Sequence, residues 1–173
     1  MTYTLSDHIH NYAVWTAARA VQRNFTETKY IKSAIEQTKL KGLIESRDIY
    51  TIGQFDKFHR DTAKILIDYL KKINDSLFEK ATYGRAAKII AIYIKTAVII
   101  RDPGCILSKI AHPPIDSILL KNLCFKFKGL GLNGITWTRL TENEYFELIS
   151  KLRSLNPAYF WELEEYWSPI RNE

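Results

Sequence analysis

The segment 83–100 constrains the fold more than any other. It carries Ala86, Ala87, Ile89, Ile90, Ala91, Ile92, Ile94, Ala97, Val98 and Ile99, so a helix built from it is apolar almost all round. Such a helix has to lie at the centre of a fold, wrapped by other elements. It is not a membrane span: its longest apolar run, 89–100, is short and is broken by Lys95, whereas a span needs about 20 residues. Elsewhere apolar residues recur at i, i+3, i+4, i+7, and nothing alternates with period two for long enough to demand a strand. The pattern predicts an all-α fold, a compact orthogonal bundle of roughly six to eight helices around the 83–100 segment. A length of 173 residues suits one domain, 1–173, with a single core.

Local signals divide the chain. Ser6 is the expected N-cap of a first helix running to about 24, and Thr26 or Thr28 opens a second that Gly42 ends. A turn over 46–52 leads to a long helix over 54–74, and Asn74-Asp75-Ser76 breaks it. Asp102-Pro103-Gly104 stops the central helix, and Pro113-Pro114 precede a helix over 115–127. Gly129, Gly131 and Gly134 mark a flexible connection. Thr141-x-x-Glu144 is a capping box, and Asn156-Pro157 starts a last helix ending near 167. The hairpin expected over 141–167 is dense in rings, among them Tyr145, Phe146, Phe160, Trp161 and Tyr166, which suit a clamp onto the core.

Charge is distributed unevenly. The net charge is +6, but residues 142–173 hold seven carboxylates against Lys151, Arg153 and Arg171, which leaves a strongly basic body over 1–141. A body of this kind attracts polyanions, so DNA and an acidic protein are the partners it suggests. The N-terminus lacks the basic and apolar regions of a secretory signal, and Cys105 and Cys124 form no CxxC pair or disulfide framework. Cytoplasmic location and two free, buried thiols are the expectations.

Four places carry potential chemistry. In the first helix His8, Asn11, Trp15, Arg19 and Gln22 share one stripe, and Trp15 beside Arg19 suits stacking on a nucleobase or packing on a neighbouring helix. In the central helix Arg85, Lys88 and Lys95 form a narrow basic strip on an apolar cylinder. Charges there must reach water, a carboxylate or a ligand, so a cleft or an ion-pair network is expected over them. His59 lies between Phe58 and Arg60, and Asp56 and Arg60 are spaced to pair on one helix. His8 and His10 point to different sides of their helix, no HxxxH or Cys/His cluster is present, and GxxxxGK[ST] and GxSxG are absent. No metal site and no cofactor is expected, and nucleotide hydrolysis and the usual serine-hydrolase plan are disfavoured.

The most specific run is Tyr83-Gly84-Arg85-Ala86-Ala87-Lys88, then an apolar helix, a loop, and His112-Pro113-Pro114-Ile115-Asp116 opening another helix. It resembles the core of the helix-hairpin-helix DNA glycosylases. The resemblance covers less than a quarter of the chain and implies nucleic-acid binding with base excision. It makes Gly84 the end of a phosphate-gripping hairpin and Asp116 the catalytic carboxylate that stabilises positive charge on the sugar or activates water. Ala86 stands where bifunctional members carry a Schiff-base lysine, and Lys88, a turn further on, is the lysine left to serve, in a different geometry. Arg85, Trp15, Arg19 and His112 are the accompanying candidates for nucleic-acid contact. The alternative reading makes Asp116 a plain helix cap, favoured by the helix dipole, and the protein a non-catalytic helical interaction module.

Overall fold

A computed structural model describes residues 2–46, 48–49 and 51–168. Helix α1 (Leu5–Val21) begins one residue before the expected cap. Thr4 takes that place because Asp7 completes a capping box with it, whereas Ser6 turns outward to Glu45. The buried side of α1 is built from Ala13, Ala17 and Ala18, small enough to let a neighbouring helix approach closely. Helix α2 (Thr28–Glu36) ends earlier than Gly42, in a turn held by the Thr38 hydroxyl, which accepts the Leu40 N–H. A single turn, α3 (Gly42–Glu45), follows. The turn expected over 46–52 lies partly outside the described residues. The long helix α4 (Ile52–Ile73) starts from a capping box of Thr51 and Gln54.

Helix α5 (Tyr83–Ile94) is the central helix. It is capped by Thr82 and continues as a π-helical turn over Lys95–Ile99. Ile89, Ile90, Tyr93 and Ile94 are shut off from solvent. α1 and α4 pack against α5, and α2 bridges α1 and α4. Polar groups are matched where the helices meet: His10 Nδ1 lies 2.7 Å from the Tyr93 hydroxyl, and the Thr16 and Thr96 hydroxyls are 3.0 Å apart. The all-α class holds: the described residues are largely helical and contain no strand.

After the short α6 (Ile106–Ile110), residues 111–115 run extended and buried. Buried irregular backbone has to satisfy its N–H groups. Pro113 and Pro114 remove two of them. Asp116 then caps α7 (Ser117–Lys126). A 3-10 turn, Trp137–Arg139, lies across the start of α5, and α8 (Glu142–Arg153) opens with the expected Thr141–Glu144 box. The last element is a 3-10 helix, Phe160–Tyr166, in place of the expected α-helix. It packs on α6 and α7. No helix among the described residues is long and apolar enough to cross a membrane.

Candidate functional site

Gly84 determines how one end of the central helix is covered. A Cβ there would lie 1.8 Å from the Trp137 carbonyl oxygen, so only glycine admits the 137–140 backbone. The Gly84 N–H donates to Leu140 O at 3.1 Å, and the Thr82 hydroxyl donates to Thr138 O. This N–H is therefore bonded within the chain. The close approach lays the Trp137 ring beside Lys88, whose Nζ is 4.6 Å from the ring centroid.

Lys88 is buried and Asp116 nearly so, and they meet: Nζ donates to Oδ2 at 3.0 Å. The other carboxylate oxygen accepts the Ile118 and Leu119 N–H groups at 3.0 and 2.9 Å as the cap of α7. The Trp167 indole donates to Oδ2 at 2.9 Å from the far end of the chain. Burial pushes the Asp116 carboxyl up, but the Leu119 N–H, Lys88 and Trp167 outweigh it and hold it below the usual range. The result is a lysine and a carboxylate in contact, flanked by two tryptophans and shielded from water.

The rest of the basic strip is also paired. Lys95 forms an ion pair with Glu164 of the last 3-10 helix. Arg85 donates to Lys80 O and lies over the Phe25 ring. Beside the Lys95–Glu164 pair opens a cleft of about 830 Å³, so both a paired network and a cleft lie along the strip.

His112 is elsewhere. It is buried in a ring cluster with Phe55, His59, Tyr145 and Phe160, and its Nδ1 lies 3.1 Å from the Tyr145 hydroxyl. Its Nε2 is 3.1 Å from both Asp56 Oδ1 and Arg153 Nη2. Arg153 grips Asp56 with both terminal nitrogens, at 2.8 and 2.6 Å. The expected Asp56–Arg60 pair is thus replaced: Arg60 turns to Glu142 and covers Phe146. His59 is fully enclosed, with Nδ1 on the Tyr83 hydroxyl at 2.9 Å. Burial lowers the pKa of both imidazoles, that of His112 to about 4. This cluster ties α4, α5 and α8 together, with both imidazoles enclosed and Asp56 and Arg153 partly open to solvent.

Trp15 and Arg19 project from α1 on the side away from its buried alanines, and the structure does not bring them to Lys88 and Asp116. Trp15 is 52% exposed and stacks on the equally open Tyr12, ring centroids 5.8 Å apart. Cys105 and Cys124 are free and half-buried rather than buried. Sequence reasoning missed the two tryptophans at the Lys88–Asp116 pair and the partners of Lys95 and Asp56. Nothing near those residues in sequence marks them, since each contact joins distant segments.

Among the described residues no three His, Cys, Asp or Glu side chains are grouped to hold a metal ion. No family model, curated protein or solved structure matches the chain.

Proposed function

We propose that the protein binds nucleic acid and removes a base from it, with Lys88 and Asp116 at the reacting sugar. The observation that carries this reading is the Lys88–Asp116 contact beneath two tryptophans, in a shielded site on a basic protein. A shielded carboxylate held in its charged form opposes the positive charge that develops on C1′ as a glycosidic bond breaks. In the proposed step the Lys88 ammonium passes its proton to the departing base, which leaves with the electron pair of the C1′–N bond. The amine so formed adds its own pair to C1′. The C1′–O4′ bond then breaks as a proton passes from the Lys88 nitrogen to O4′, which leaves a protonated imine between Lys88 and C1′. The Trp167 indole holds the place the substrate takes, and an extruded base requires it to move aside. Gly84 and His112 have no part in this reading, because the Gly84 N–H is bonded to Leu140 and the His112 ring is enclosed.

The test uses labelled duplexes, intact and carrying an abasic site, with borohydride present to reduce an imine to a stable cross-link. Cross-linking and lesion-preferring binding, both lost in Lys88→Met, support the reading, and Asp116→Asn abolishing base release assigns the carboxylate. Equal, salt-sensitive binding of both duplexes without a cross-link leaves only a basic surface. A second reading, a non-catalytic interaction module, draws on the Asp116 bonds: both its oxygens already serve the fold. That reading prevails if neither duplex binds.

A further inference from the structure

The cleft beside Lys95 is walled by aromatic rings and carboxylates. It lies between the π-helical turn of α5 and the 155–166 segment, and its volume of about 830 Å³ is of the size that holds a small organic molecule. The π turn helps to shape it. Residues five apart on an α-helix point about 140° apart. The wider turn bonds the Ile100 N–H to Lys95 O and brings Ile100 into the lining with Lys95 and Ile99. Such turns recur at functional sites.

The opposite wall supplies rings and carboxylates. Phe127, Trp161 and Tyr166 line it, with Phe127 and Tyr166 edge to face at 5.5 Å. Glu162, Glu164 and Glu165 line it too, against one ammonium, Lys95, which is already paired with Glu164. Glu162 accepts the Tyr159 N–H, a neutral partner that leaves its charge in place. On a protein of net charge +6 this is a negative, ring-walled pocket. The faces of aromatic rings carry negative potential, and a cation enclosed by them is attracted by the rings and the carboxylates together.

We infer that this cleft binds a small organic cation, an amine or quaternary ammonium carried on an apolar or aromatic body. The apolar part lies on Ile99, Ile100 and Pro103, and the cationic head lies among Trp161, Tyr166 and the Glu162 and Glu165 carboxylates. The site is separate from Lys88 and Asp116, so it stands or falls independently of base excision.

The probe is benzyltrimethylammonium, with phenylacetate as an anion of similar bulk. Titration is followed by calorimetry and by the indole N–H resonance of Trp161, assigned by its loss in Trp161→Phe. The expected result is saturable binding of the cation, at least about tenfold tighter than phenylacetate, with a shift of the Trp161 resonance. Glu165→Gln, on an exposed side chain, should weaken it about threefold, and Tyr166→Leu about fivefold, with folding unchanged by circular dichroism. Equal affinity for phenylacetate overturns the inference. So does binding that ignores both substitutions, or no binding at about 10 mM cation.

Discussion

Lys88 and Asp116 are 28 residues apart in sequence and 3.0 Å apart in space, and the two are not equally dependent on each other. Asp116 keeps two N–H groups and the Trp167 indole if Lys88 is removed. Lys88 keeps the Trp137 face and the field of the Glu164 carboxylate, which Lys95 already pairs, if Asp116 loses its charge. Leaving a buried charge unpaired costs about 3 kcal/mol or more. Asp116→Asn should therefore destabilise by about 3 kcal/mol and Lys88→Met by roughly half of that. The double variant should lose less than the two losses combined, by at least about 1 kcal/mol. Urea unfolding of the four proteins measures this, and strict additivity would show that the pair contributes nothing as a pair.

The buried imidazoles make stability fall in mild acid. His59 and His112 both take up protons less readily in the folded chain than in the unfolded one, His112 with a pKa near 4 against an ordinary 6.5. The unfolded state therefore binds more protons below pH 6.5, and stability declines as pH falls from there toward 4. Each ring contributes a slope of about 1.4 kcal/mol per pH unit in this window. Asp56 acts lower down: burial pushes its carboxyl up, but Arg153 and His112 outweigh this and hold it below its usual value, so its contribution is lost only below about pH 4. Unfolding free energies at pH 7.5, 6.5, 5.5 and 4.5 should fall by less than about 1 kcal/mol over the first step and then by about 2 to 3 kcal/mol per unit. A flat profile down to pH 4.5 would mean that the rings are hydrated.

What could be read from the chain was local. The Thr141–Glu144 box opens its helix because both partners lie within one turn, and Thr4 and Asp7 form the same pattern two residues before Ser6. The all-round apolarity of the 83–100 segment identified the central helix because burial of such a face has no alternative. The demand that Lys88 and Lys95 find partners followed from burial as well, but the partners did not: Asp116 and Glu164 are 28 and 69 residues away. Spacing alone pairs Asp56 with Arg60, yet Arg153, 97 residues on, holds it, because the fold brings a bidentate partner to it. The last segment, read as an α-helix, is 3-10. Its core residues Phe160 and Leu163 are three apart, the period of that tighter helix, and a run this short cannot distinguish the two.

Gly84 should be the least replaceable glycine. Its Cβ would strike backbone, the Trp137 carbonyl, which cannot swing aside as a side chain can. Gly84→Ala should destabilise by about 3 kcal/mol, at the upper end of overpacking effects, and should displace Trp137 from Lys88. Gly53, in the first turn of α4 with open space around it, is the control: Gly53→Ala should stabilise by about 0.5 kcal/mol. Thermal melts rank the two, and a Gly84→Ala protein as stable as the parent would show that the 137–140 segment is free to move.

Trp15 separates stability from binding. Its side chain is about half exposed, so Trp15→Ala should change the unfolding free energy by no more than about 1 kcal/mol. The Tyr12–Trp15 ledge, with the exposed Arg19 one turn on, offers a flat ring and a cation to an unstacked base. Stacking of this kind contributes about 1 to 3 kcal/mol per base. If nucleic acid uses the ledge, Trp15→Ala should weaken single-stranded DNA binding by about tenfold, with little change in the salt dependence that phosphate contacts set. Arg19→Ala should do the reverse, lowering the salt slope with a smaller loss of affinity. Fluorescence anisotropy across a salt series gives both quantities. Unchanged affinity in Trp15→Ala would leave the ledge without a role in nucleic-acid binding.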